Sequence, residues 1–155
     1  MFGLGMGELL VILLIVVVLF GGSKLPELQK LSTDLCLSET VEWLGFVDDP
    51  APLLSHAGLL LAPAPAEPFG LTVVEAMAHG TPVIAADGGA HRETVGDDGW
   101  LFPVGDVDEC TKLLDDIGNR DLAIYGASLR TRQLEHFDIE THSDELLNVY
   151  RELLR

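Results

Sequence analysis

The sequence predicts an α/β protein behind a single membrane helix, and three observations carry that expectation. An unbroken apolar run, LLVILLIVVVLF, occupies residues 9–20. From Thr33 onward, short apolar runs alternate with helix-period patterns, as parallel strands joined by helical crossovers do. The charge is split between the same two regions: 9 Lys and Arg against 25 Asp and Glu give a net charge of −16 over 155 residues. Glu8, Lys24, Glu27 and Lys30 cancel within residues 1–30, so the whole acidic excess lies in residues 31–155. Two domains are therefore expected, 1–31 and 32–155. Such an acidic body is a poor partner for nucleic acid. A cysteine count of 2 excludes a disulfide-dense scaffold.

The leader comes first. Reading back from residue 9 to Phe2 adds glycines, Leu4, Met6 and one carboxylate, Glu8. Residues 2–20 would make a helix of about 28 Å, just enough for a hydrocarbon core of about 30 Å. No Lys or Arg precedes the run, and the small residues after it make a weak cleavage site, which argues against a signal peptide. A buried core helix is the other alternative, since apolar runs of this length occur in cores. Glu8 near the helix start falls at headgroup level, where the helix dipole favours it. Gly21-Gly22 breaks the helix, and Pro26 is tolerated in the first turn of the next. Leu25, Leu28 and Leu31 alternate with Lys24, Glu27 and Lys30, the start of an amphipathic helix on a membrane surface. The lysines after the span place the C-terminal side in the cytoplasm.

The stretch MFGLGMGELLVILLIVVVLFGGSKLPEL resembles the N-terminus of TatA, the small subunit of the twin-arginine protein translocase. The likeness includes Glu8, the Phe20-Gly21 hinge and the KLPEL entry into the second helix, and it stops near residue 31. It implies a single-pass protein of the bacterial inner (cytoplasmic) membrane with the lipid bilayer as partner. It also implies self-association or contact with other translocase subunits.

In the second region, strands are expected at 41–47 (VEWLGFV), 58–62 (GLLLA), 82–86 (PVIAA) and 100–104 (WLFPV). Helices are expected at 51–57, 71–79, 107–117, 122–136 and 139–154. Asp106 is placed to cap the third of these, with Glu109 three residues on as in a capping box. Gly80 is placed to stop the second, with Pro82 just beyond it. Five histidines (His56, His79, His91, His136, His142) show no metal-ligand spacing with the cysteines. Cys36 and Cys110 read as free thiols, and Trp43 and Trp100 as core.

Ligands of open parallel sheets bind beyond the carboxyl ends of the strands. After GLLLA comes a loop stiffened by Pro63, Pro65 and Pro68, which fixes where Glu67 points. Gly70 then opens a helix. Amides at Gly70, Leu71 and Thr72 would form an anion site, with no side chain on Gly70 to block a phosphate. Glu75, one turn in, shares a face with Leu71 and Thr72 and would reach a hydroxyl pair. After PVIAA, Asp87-Gly88-Gly89 makes a tight turn that would let a ligand approach its backbone. The constellation suits a sugar joined to a phosphate joined to a ribose. On pattern alone the plainer reading is a crossover helix with one acid near its favourable end and another on a surface loop.

VEWLGFVDD, then LLLAPAPAEPFGLTVVEAMAHGTPVIAADGGAHRETV, then GWLFPVGD, resembles the C-terminal, nucleotide-sugar-binding half of retaining GT-B glycosyltransferases of the group 1 family. The resemblance implies that Glu67 is catalytic and contacts donor-sugar hydroxyls, and that Glu75 holds the ribose. It brings the amides of Gly70, Leu71 and Thr72, beside Phe69, to the diphosphate, and the base near Phe46 and Val47. It implies a nucleotide-sugar donor, no metal and no other cofactor. It also implies a Rossmann-like sheet of strand order 3-2-1-4-5-6 that retains only its third to sixth strands. A smaller sheet of about four strands is then expected, with GLLLA at a bare edge. The Arg and Lys that neutralise the diphosphate in the family lie upstream of VEWLGFV, where this sequence carries the leader. The expectation is an anchored, retaining-hexosyltransferase-like fragment that binds its donor weakly and transfers little alone. A TatA-like translocase component, a non-catalytic anchored domain and a chimeric product are the alternatives.

Overall fold

A computed structural model describes residues 24–96 and 99–154. The expected membrane span, with Glu8, Phe20 and Gly21, lies outside the described residues. Among the described residues no helix is long and apolar enough to cross a membrane.

The elements run α1 (Leu25–Asp34), α2 (Ala51–His56), β1 (Leu60–Ala62), α3 (Leu71–Ala78), β2 (Val83–Ala86), α4 (His91–Val95), β3 (Trp100–Phe102), α5 (Val107–Asp115), a 3-10 turn (Asp116–Asn119), α6 (Leu122–His136) and α7 (Ile139–Leu153). The strands form one parallel sheet in the order β1-β2-β3, with Leu61 opposite Ile84 and Ala85 opposite Leu101. Alternation along the strands divides the core into two layers. Leu60, Ala62, Val83 and Ala85 face Leu54 of α2, Val73, Ala76 and Met77 of α3, and Tyr125 and Leu129 of α6. Ile84, Ala86 and Phe102 face the other way, onto Leu59, Ile117 and the α5 side chains Leu113 and Leu114. All of β2 is buried, as a central strand covered on both faces must be.

Among the described residues the sheet has three strands, not the expected four. Residues 41–47 form no strand. Gly45 sits at φ +67°, outside the β region, and Phe46 is 90% exposed. A β-prone sequence without a neighbour to share its hydrogen bonds stays irregular. The strand at 58–62 is found, shortened, at the sheet edge as expected.

The helices fall close to their expected places, and α1 is the second, amphipathic helix. Its half-buried Leu25 and Leu28 share a face with buried Ser32, while Leu31 is exposed. Asp106 caps α5 as expected, its Oδ1 accepting from the Glu109 amide at 2.9 Å. The reciprocal half of the box is not made: the Glu109 carboxylate takes Lys112 Nζ at 2.8 Å instead. Gly80 ends α3 at φ +70°, donating its amide to the Met77 carbonyl. One helix was not expected, the short α4.

Candidate functional site

The loop after β1 and the turn after β2 meet at the carboxyl end of the sheet. The Ala90 amide donates to the Glu67 carbonyl at 2.8 Å. Gly89, at φ +57°, lies so close to the Glu67 backbone that a Cβ there would collide with it at 2.2 Å. Gly88 is equally confined, against the Pro65 carbonyl. The tight turn expected at 87–89 thus clamps loop 63–70 rather than leaving space for a ligand at its own backbone. From α4, Thr94 Oγ1 donates to the Phe69 carbonyl at 3.0 Å. Arg132 of α6 donates Nε to the Thr94 carbonyl at 2.8 Å and thereby fixes α4.

Gly70 adopts φ +85°, a left-handed conformation that an L side chain resists. It turns the chain into α3, so that the amides of Leu71 and Thr72 start the helix with no acceptor inside it. The third expected amide is already engaged: Gly70 N–H donates to Glu67 Oε1 at 3.1 Å. That bond holds the Glu67 carboxylate over the helix start and leaves its second oxygen for another donor. Glu67, Thr72 and Glu75 are half-buried, and Phe69 and Leu71 are exposed. The Phe69 ring lies edge-on to Phe137 at 6.1 Å. The structure therefore brings Glu67, Phe69, Gly70, Leu71, Thr72 and Glu75 to one end of the sheet. Among the described residues no hydrogen bond or ring contact joins Phe46 or Val47 to them.

Cations beside this end are occupied. Arg92 pairs with Asp87 through two hydrogen bonds, one from Nε to Oδ1 at 3.0 Å and one from Nη2 to Oδ2. The guanidinium holds the Asp87 carboxyl below the usual carboxylate range, outweighing the opposing effect of burial.

One residue that sequence reasoning set aside belongs here. His91 is fully buried, and its Nδ1 lies 2.9 Å from the Ala86 carbonyl. A carbonyl only accepts, so Nδ1 carries the proton of that bond. Nε2 has no partner among the described residues. His91 Cδ2 lies 3.5 Å from where a Cβ on Gly70 would stand. Spacing to cysteines could not reveal this histidine; the signal was its place just behind the Gly88-Gly89 turn at a strand's carboxyl end. Elsewhere Cys36 and Cys110 are free, and burial pushes the Cys110 thiol up.

Known proteins share this architecture. The family model for glycosyl transferases group 1 matches residues 11–118, across the expected 31/32 boundary. The MMP α-(1→4)-mannosyltransferase of Mycolicibacterium hassiacum is 35% identical over 133 residues, covering 81% of this chain and 32% of that protein. Anabaena HepE in complex with UDP-glucose is 28% identical with a TM-score of 0.74, over 86% of this chain and 38% of that one. The HepE complex with UDP gives a TM-score of 0.77 at 28% identity, over 83% and 36%. This chain thus spans about a third of the length of the relatives it matches. With the family model covering most of its length and the sheet, helices and carboxyl-end loops in the family's arrangement, the chain belongs to the group 1 family of glycosyl transferases.

Proposed function

We propose that this chain binds a nucleoside-diphosphate sugar at the carboxyl end of its sheet, as the donor-binding part of a retaining glycosyltransferase. The observation that carries this reading is the Glu67–Gly70 hydrogen bond, which sets an acceptor carboxylate directly over the free amides that open α3. Amides and helix dipole attract a phosphate, and carboxylates accept from hydroxyls. Glu67 then meets the sugar near its reacting carbon, Leu71 and Thr72 meet the diphosphate, and Glu75 meets the ribose. HepE complexes with UDP and UDP-glucose support a donor of this class. Phe46 and Val47 are proposed to flank the base.

Leaving-group stabilisation is the large electrostatic demand of such a transfer. Among the described residues the site offers the carboxylates of Glu67 and Glu75 and a few amides, and the Arg92 guanidinium beside it is paired with Asp87, within a net charge of −16. Donor binding is therefore weak and transfer by this polypeptide alone slight. Isothermal titration of the full chain with UDP-glucose and GDP-mannose tests the reading. Binding of at least one is expected, with a Kd near ~1 mM. Glu75→Ala should weaken it about tenfold, a loss of ~1.4 kcal/mol. Equal affinity in the variant rejects the ribose role, and no binding by the wild-type chain rejects the function.

A second reading concerns residues 9–20, whose 12 consecutive apolar residues favour a bilayer anchor for 1–31, with the remainder in the cytoplasm of a bacterial cell. Against a foreign leader, the family match already begins at residue 11. Retention of the expressed chain in membranes after an alkaline carbonate wash is the expected result, and release into the wash rejects the anchor.

A further inference from the structure

We propose that Nε2 of His91 accepts a hydrogen bond from a hydroxyl of the donor's sugar, making His91 a specificity residue of the site. The inference rests on the reading above that a nucleoside-diphosphate sugar sits at the start of α3. Three observations converge on it. The Nδ1–H to Ala86 bond of 2.9 Å fixes the ring and leaves a lone pair on Nε2 in the neutral imidazole. That acceptor is fully buried and unpaired among the described residues, an arrangement proteins rarely keep without a use. Cδ2, the ring atom bonded to Nε2, faces Gly70 at the helix start, where Glu67 Cγ and Thr94 Oγ1 also converge.

The chemistry of the lone pair selects the ligand group. An ionised phosphate oxygen offers only lone pairs of its own and is repelled. A sugar hydroxyl has a proton to give. The site then divides its work: the amides of Leu71 and Thr72 donate to the phosphate, and Glu67 and His91, which converge beside Gly70, accept from hydroxyls. Nε2 has no exposed surface, so the hydroxyl reaches it only by a local shift of the Gly70 backbone, within a loop that the Ala90 amide keeps anchored at Glu67. The bond formed there offsets part of that displacement. A donor lacking a hydroxyl in that direction makes no such bond, which is how the residue discriminates.

The test compares a nucleotide with its sugar conjugate. UDP, UDP-glucose, GDP and GDP-mannose are titrated calorimetrically into the full chain as wild type, His91→Phe and His91→Asn. For whichever pair the wild type binds, the variants should lose about tenfold in affinity for the sugar nucleotide and keep that for the bare diphosphate. A merely structural histidine would weaken both alike, and that result overturns the inference while leaving donor binding intact. Unchanged affinity for both overturns it as well. Absence of wild-type binding to all four overturns donor binding and this inference together. Should both variants fail to fold, the wild-type imidazole 15N spectrum decides. The Nε2 resonance should move on adding the sugar nucleotide and stay in place with the diphosphate; no difference between the two rejects the contact.

Discussion

Residues 83–86 and residues 41–47 are both short, apolar and β-prone, and they end in opposite states. Val83, Ile84, Ala85 and Ala86 are all but inaccessible to solvent, with β1 paired on one side and β3 on the other. Residues 41–47 pair with no strand among the described residues, bend at Gly45 and leave Phe46 in solvent. Side-chain preference does not explain the difference, since half of 83–86 is Ala, a poor strand former; what differs is whether a neighbouring strand exists to take the backbone hydrogen bonds. The consequence reaches function. Loops at the ends of paired strands inherit a fixed position, which is why Glu67 and Gly70 are held to each other and to α4. Phe46 and Val47 extend from no ladder, and their proposed place beside the base has no comparable support from the sheet.

The sharpest way to break that comparison is a truncation in each region. Ile84→Ala removes a side chain packed among Leu59, Phe102 and Ile117 and should cost about 3 kcal/mol. Phe46→Ala removes a ring that touches mostly water and should change stability by less than about 0.5 kcal/mol. Urea unfolding of the full chain measures both. A loss of similar size at Phe46 would mean that residues 41–47 are packed in solution, and the contrast would fail.

How much of this was legible beforehand follows from the range of the forces involved. The start of helix α6 is legible because it is set locally: Asp121 accepts from the Ile124 amide and caps the first turn. The Asp106 cap and the Gly80 stop were equally readable, being set by residues within three or four positions. The expected strand at 41–47 does not form, because period and propensity do not say whether a partner strand is present. Five-residue α4 is too short to show a helical period. The engagement of the Gly70 amide by Glu67, and the buried, unpaired nitrogen of His91, depend on two loops meeting across the sheet end. No spacing rule along one segment encodes that. The family's motif points to Glu67 and Gly70 but not to His91, which opens α4 behind the neighbouring turn.

Tyr125 offers a smaller test of the same claim, that pairing around β2 is what orders this half of the molecule. Its hydroxyl donates to the Val83 carbonyl at 3.0 Å and accepts from the Trp100 amide at 3.0 Å, tying β2 to β3 at their amino ends. The ring stacks on Trp100 at 3.9 Å, and Arg120 lies over the other aromatic at 4.7 Å. Tyr125→Phe keeps the stack and leaves two backbone groups short of a partner, for an expected loss of about 1.5 kcal/mol. Burial, opposed by the Trp100 amide and Arg120, pushes the phenol up to about 12. An unfolded tyrosine ionises near 10. A raised folded value means the neutral phenol is the folded form, so its contribution is complete below about pH 10 and drains away as pH rises toward about 12. Chemical unfolding of wild type and variant at matched pH isolates this tyrosine from the lysines that titrate alongside it. The stability gap should hold constant from pH 7 to 9 and narrow above pH 10. A gap that stays parallel to the top of the range would show that the hydroxyl bridge is not what joins the two strands.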